Sequence, residues 1–131
     1  MNSKSILGIA AFMAFTAVIL GALGAHALKD SLSADALDSF KTGVRYQAWH
    51  ALALLFLGFL AHLKLVKGAS AVAWLFTLGV VLFSLSIYGL STQSLTHLSL
   101  GWLGPVTPLG GLFLIAGWAL LFIKILRSNR L

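Results

Sequence analysis

Four long apolar runs dominate the pattern of hydrophobic and polar positions along this chain. The runs cover residues 6–28, 44–63, 69–90 and 106–123, approximately. A bilayer hydrocarbon core of about 30 Å is crossed by about 20 helical residues, so each run is predicted to be a transmembrane helix. The pattern therefore predicts an all-α fold: an integral membrane four-helix bundle that forms a single domain over residues 1–131.

The segment between the first two runs has a different pattern. Ser33 is a predicted N-cap, and Asp35 follows in the first helical turn, where a negative charge is favourable. The apolar residues Leu37, Phe40 and Val44 fall on one face. The pattern predicts a short amphipathic helix over residues 33–43 at the membrane surface, with a bend at Gly43 into the second span.

Composition excludes a water-soluble protein. Hydrophobic residues make up 60% of the chain and charged residues only 9%, whereas a soluble domain carries roughly 25% charged residues. There is no cysteine, which excludes disulfides and thiolate metal sites. The net charge of +6 does not indicate nucleic acid, because the basic residues flank the apolar runs. The predicted partner is the lipid bilayer.

The distribution of charge predicts the orientation. The N-terminus, the loop at residues 64–67 and the C-terminus share one side and carry six basic residues and no acid. The other side carries three basic residues together with all three acidic residues. Because basic loops stay in the cytoplasm, both termini are predicted to be cytoplasmic in a multi-pass protein.

Candidate chemistry is concentrated in residues 21–50, which hold the three acids and two of the four histidines. Arg45 is expected to be an anchor at the lipid headgroups or, as the alternative, to pair with an aspartate. Folding the surface helix over the ends of the first two spans would bring Asp35 or Asp38 towards Arg45. The same fold would place His26 near the polar first turn of the second span. We predict one polar cluster on the outer face that binds a small polar or amphipathic ligand; its candidate residues are His26, Arg45, Tyr46, Gln47 and His50.

Other functions remain open for the same residues. His26 and His50 could hold a metal ion or haem, or they could bond to carbonyls and hold the helix ends in place. No acid lies within a span, and no nucleophile triad or phosphate-binding loop is present in the sequence, so an enzyme is not expected. An oligomer could form a path for protons or small solutes between subunits.

Small side chains recur at helical spacing along the first span, namely Ala10, Ala14, Ala17, Gly21, Gly24 and Ala25. Such stripes allow close helix packing in lipid. A stripe that faces lipid would favour docking to a larger membrane complex or a homo-oligomer, as an accessory or assembly subunit would require.

Three blocks of sequence, at residues 21–28, 40–52 and 107–111, resemble the signature of a family of small membrane proteins. Its members include human transmembrane protein 256 and bacterial inner-membrane homologues. The resemblance implies a four-helix protein of uncharacterised function in the bacterial inner membrane, and it supplies no catalytic residue or cofactor. Positions of the resembling blocks that we assign a structural role are Gly21, Gly24, Phe40, Thr42, Gly43, Pro108, Gly110 and Gly111.

Overall fold

The computed structural model describes residues 1–128, which contain helices and turns but no strand. The helices are α1 (Ser3–Ala25), α2 (Ala34–His62), α3 (Ala69–Val80), α4 (Ser86–Ser91), α5 (Gln93–Thr96) and α6 (Val106–Leu126). A π-helical turn, Val81–Leu85, joins α3 to α4, and a 3₁₀ turn, Gly101–Leu103, precedes α6. We call the stretch from α3 to α4 the third span. Four helical stretches are long and apolar enough to cross a membrane, so the predicted all-α fold with four spans is confirmed.

The second span differs from the prediction. α2 is one helix of 29 residues that continues through Gly43, so the expected separate surface helix over residues 33–43 and the bend at Gly43 are wrong. The predicted N-cap is confirmed, because Oγ of Ser33 accepts a hydrogen bond from the Ala36 amide at 3.3 Å. At 1.5 Å per residue α2 is about 43 Å long, roughly 13 Å more than the hydrocarbon core. Its first turns therefore extend beyond the hydrocarbon.

A small apolar cluster covers these protruding turns. α1 ends at Ala25, and the turns that follow bury Leu28 and Leu32 against Phe40, which is 2% exposed. Because this contact shields the apolar face of the first α2 turns, the helix can continue out of the membrane without exposing Phe40 to water.

α1 packs antiparallel along α2 through small residues. A Cβ added at Gly24 would lie 3.1 Å from the ring of Phe40, and one added at Gly21 would lie 3.6 Å from Val44. Towards the other end of α2, Gly58 faces Leu7. Ala10, Ala17 and Gly24 of the predicted stripe are buried, so the stripe serves a contact within the chain.

The third span packs antiparallel along α6 in a single register. Gly79 faces Leu114, Phe83 faces Gly110, and Phe76 faces Gly117. The hydroxyls of Ser86 and Thr107 are 2.7 Å apart. Each step of three or four residues along the third span is matched by an equal step along α6. The close glycine contacts thereby set the alignment of the two helices.

The two ends of the bundle differ in charge. The end where α1 stops and α2 starts carries Asp30, Asp35 and Asp38, and we call it the acidic end. At the opposite end, the basic end, the Met1 ammonium donates to Oγ of Ser70 at 2.5 Å. Large apolar side chains on the outer surfaces, such as Phe12 at 66% exposure, face the surroundings, as expected of a protein solvated by lipid.

Candidate functional site

The buried amide of Gln47 joins three of the four spans. Its Nε2 donates to the carbonyl oxygen of Met13 at 2.9 Å and to Oγ1 of Thr16 at 2.7 Å. Its Oε1 accepts a hydrogen bond from the Tyr88 hydroxyl at 2.9 Å. Because hydrocarbon offers no water, these bonds satisfy polar atoms that would otherwise cost several kcal/mol to bury. The donor hydrogens of Gln47 are thus used by the protein itself.

His50 is also held by the protein, and its tautomer follows from its partners. The indole N–H of Trp118 can only donate, and it lies 3.0 Å from Nε2 of His50, which therefore accepts. Nδ1 lies 2.7 Å from the Tyr46 carbonyl oxygen and donates to it. Since both ring nitrogens are engaged, His50 has no lone pair left for a metal or haem iron. Within residues 1–128 no group of three potential metal ligands comes together.

Of the other predicted site residues, Tyr46 lies beside His50, whereas His26 lies apart. His26 is exposed directly after the end of α1, level with the part of α2 near Phe40. It therefore lies about two turns beyond the level of Tyr46. Tyr46 is half-buried and packs its ring 4.5 Å from that of Phe83. The structure does not bring His26 to Tyr46, Gln47 or His50, so these residues do not form one cluster.

Arg45 approaches Asp38 along the single helix α2, and not through a surface helix folded over the span ends. Its Nη2 lies 3.7 Å from Oδ1 of Asp38 and 3.5 Å from Oγ1 of Thr42. The side chains of Arg45 and Asp38 are 56% and 79% exposed. Such an exposed pair contributes little to stability, and it leaves the guanidinium accessible to a ligand.

A groove between α1 and α2 lies beside Arg45. We call it the α1–α2 groove; its volume is about 410 Å³ and it is lined by Leu20, Gly21, Gly24, Phe40, Lys41, Val44 and Arg45. Gly21 and Gly24 of α1 and Phe40 and Val44 of α2 line the groove, and the two basic residues stand one turn apart on α2. An apolar trough with two cations beside it can receive an apolar chain that ends in an anionic group.

The opposite side of the protruding α2 turns has a groove that carries a negative charge. A shallow groove of about 290 Å³ is lined there by Asp35 and by the hydroxyl residues Ser39, Ser91 and Thr107, among others. Its carboxylate would repel an anionic ligand. The two grooves therefore differ in the charge that they would accept.

Sequence reasoning missed the partners that complete the polar contacts. Thr16, Ser84, Tyr88 and Trp118 come from other spans, and Ser84 donates to the Gly43 carbonyl oxygen at 2.9 Å. The sequence marks three of these partners, because Thr16, Ser84 and Tyr88 are polar residues in spans of mostly apolar sequence. No local pattern shows which of them faces Gln47.

Gly43 and Gly110, two of the glycines that the sequence assigned a structural role, pack closely against a neighbouring helix. A Cβ on Gly43 would lie 2.8 Å from Cε1 of Tyr88, and one on Gly110 would lie 2.8 Å from Cα of Phe83, within the π-helical turn. At Gly111 the nearest side-chain atom would be 3.8 Å away, and Pro108 is exposed. The close approaches at Gly43 and Gly110 thus require glycine.

Comparison of its sequence with known proteins places this chain in a family. The family model described as "Protein of unknown function (DUF423)" matches residues 20–111. The chain belongs to this family. The "UPF0382 inner membrane protein YgdD" of Escherichia coli (strain K12) is 39% identical over 130 residues, covering 99% of this chain and 95% of the relative. The "UPF0382 membrane protein YwdK" of Bacillus subtilis (strain 168) is 39% identical over 121 residues, covering 92% and 94%.

Membership of the DUF423 family confirms the resemblance to small membrane proteins with bacterial inner-membrane members. A further relative, the "UPF0382 membrane protein" of Staphylococcus epidermidis, is 36% identical over 129 residues, covering 95% of this chain and 97% of the relative. No solved structure matches. The four apolar helices and the names of the relatives together establish a membrane protein, and none of these names states a reaction.

Proposed function

We propose that the protein is a non-enzymatic inner-membrane protein that binds an anionic amphipathic molecule in the α1–α2 groove. The main observation in support of the proposal is that Lys41 and Arg45 lie beside the apolar residues of this groove. The trough would receive a hydrocarbon chain, and the two cations would bind a phosphate or carboxylate head. Of the site residues expected from the sequence, Arg45 keeps a ligand-binding role.

The geometry favours this function over the alternatives. His50 has both ring nitrogens engaged, which argues against its use as a metal or haem ligand. Ala10, Ala17 and Gly24 of the α1 stripe are buried within the chain, so these residues are not available for docking to a larger complex. Gln47 bonds to Thr16 and to Tyr88, and these three residues supply no charged group for a transport path.

We also propose that both termini are cytoplasmic. The N-terminus, the turn between α2 and α3 and the end of α6 meet at the basic end, where Nζ of Lys124 donates to the Lys67 carbonyl oxygen. That end has basic residues and no aspartate or glutamate, as the positive-inside rule expects for a cytoplasmic face. The α1–α2 groove would then open to the outer leaflet.

The test is ligand binding by purified protein with two lysolipids of the same acyl chain. Lysophosphatidylglycerol is anionic, and lysophosphatidylcholine has no net charge. We expect the double variant Lys41→Gln/Arg45→Gln to bind the anionic lysolipid roughly thirtyfold more weakly, at about fivefold per charge. Binding of the neutral lysolipid should not change, because the apolar trough is intact.

Lys29→Gln is the matched control, since it removes a cation from the acidic end outside the groove. Native mass spectrometry counts bound lysolipids, and thermal unfolding checks that each variant is folded. An equal loss in Lys29→Gln, or no loss in the double variant, would show that the groove does not recognise the anion. A visible absorption band from a bound haem would support the alternative function instead.

A further inference from the structure

A second cleft lies at the basic end, far from the α1–α2 groove. We call it the basic cleft; its volume is about 320 Å³, and it is lined by Leu65, Lys67, Leu120, Ile123, Lys124, Arg127 and Ser128. It forms where the last turns of α6 meet the turn between α2 and α3. Apolar side chains from both elements line it, and three cations belong to the same surface.

Specific contacts build this cleft. Nζ of Lys124 donates to the Lys67 carbonyl oxygen at 3.1 Å, and Oγ of Ser128 donates to the Leu65 carbonyl oxygen at 2.6 Å. Gly68 has a φ of +69°, and a Cβ there would lie 2.7 Å from Nζ of Lys124. The positive φ favours glycine at this position, where another residue would be strained. The Lys124 ammonium thus lies against the turn between α2 and α3.

The cations of the cleft have no carboxylate side chain nearby. The only three acids of the chain are Asp30, Asp35 and Asp38, all at the acidic end. The two ends are separated by spans that cross about 30 Å of hydrocarbon. Lys67, Lys124 and Arg127 therefore create a positive potential that the aspartates do not neutralise.

We propose that the basic cleft binds the phosphate headgroup of an anionic phospholipid from the adjacent leaflet. Charge complementarity selects a phosphate, which Lys67, Lys124 and Arg127 would surround. Leu120 and Ile123 lie on the membrane-spanning helix α6, and Ile123 is 42% exposed. An acyl chain can follow this apolar surface into the bilayer, whereas a free anion would leave the surface unused. The site goes beyond the proposed function because it lies at the opposite end of the bundle.

The test compares phosphatidylglycerol with phosphatidylcholine of identical acyl chains, bound to the delipidated full-length protein. The variant is Lys67→Gln/Arg127→Gln, which leaves the anchored Lys124 in place. We expect native mass spectrometry to show one bound phosphatidylglycerol fewer and an affinity roughly thirtyfold lower. The charge-conserving variant Lys67→Arg/Arg127→Lys should retain binding and shows that the positions tolerate substitution.

Lys4→Gln is the matched control, because it removes a cation from the same end outside the cleft. We expect it to keep the preference for phosphatidylglycerol. An equal loss in this control would assign the effect to the overall charge of the basic end and would overturn the proposal. Equal binding of phosphatidylcholine, or binding of glycerol phosphate as tight as that of the lipid, would overturn it as well.

The Lys41→Gln/Arg45→Gln variant should keep phosphatidylglycerol in the basic cleft. The two proposed sites can therefore fail separately, since each has its own variant and its own count of bound lipid.

Discussion

Trp118 of α6 donates its indole N–H to Nε2 of His50 on α2, across 3.0 Å. This bond makes Nε2 an acceptor and places the imidazole hydrogen on Nδ1, which donates to the Tyr46 carbonyl oxygen. His50 is thus a neutral linker between two spans. A polar residue in a membrane span is by default a functional candidate, yet here the bonds of the side chain are satisfied by the protein.

Trp118→Phe is expected to lower the free energy of unfolding by about 1–2 kcal/mol, because Nε2 of His50 loses its donor in a buried position. The ring contact between position 118 and Phe76, at 5.0 Å in the native protein, should persist. Reversible unfolding in mixed micelles measures the change. The control is Trp74→Phe, at a position that is 49% exposed. Equal stability of Trp118→Phe and the native protein would contradict a structural role for the bond.

Removing one or all of the Gln47 hydrogen bonds should lower the free energy of unfolding of the bundle by increasing amounts. Tyr88→Phe deletes one interhelical bond and is expected to cost about 1 kcal/mol, within the range measured for such bonds in membranes. Gln47→Leu deletes all three and leaves Thr16 and Tyr88 without this partner, at about 2 kcal/mol. Thr77→Val is the control, because that hydroxyl donates to the Ala73 carbonyl of its own helix. If Thr77→Val lowers the free energy of unfolding as much as Gln47→Leu does, the loss of stability does not come from the interhelical bonds.

Adjacent glycines on α6 should differ sharply in their tolerance of alanine. A Cβ on Gly110 would lie 2.8 Å from Cα of Phe83, whereas one on Gly111 would lie 3.8 Å from the nearest side-chain atom of Phe83. Forcing the third span away from α6 is expected to cost about 1–3 kcal/mol in Gly110→Ala. Thermal unfolding of the two variants in the same detergent is the measurement. Similar melting temperatures would mean that α6 and the third span can separate without loss.

Reporter fusions test the orientation of the chain. A fusion at Ser33, before α2, and a fusion after Leu131 should report opposite compartments, with the C-terminal one in the cytoplasm. A cytoplasmic signal at Ser33 would contradict the proposed topology and would place the α1–α2 groove in the other leaflet.

The sequence by itself determined the class of the protein and the number of its spans. These properties depend on local quantities, namely the length and hydropathy of each run compared with the thickness of a bilayer. The cap at Ser33 was predictable for the same reason, since it involves residues three positions apart. The contact of Arg45 with Asp38 was expected from a separate helix folding over the spans, but it runs along the single helix α2.

Only the tertiary structure decided what the polar and glycine residues do. Gly43 was expected to bend the chain, but it lies within a continuous helix and makes room for the ring of Tyr88, 45 residues away. Gln47 and His50 were expected to face a ligand, but they bond to Thr16, Tyr88 and Trp118 on other spans. Helical periodicity assigns residues to faces of their own helix. Which face meets which neighbour depends on the packing of all four spans, and in hydrocarbon that packing must also satisfy each buried polar atom.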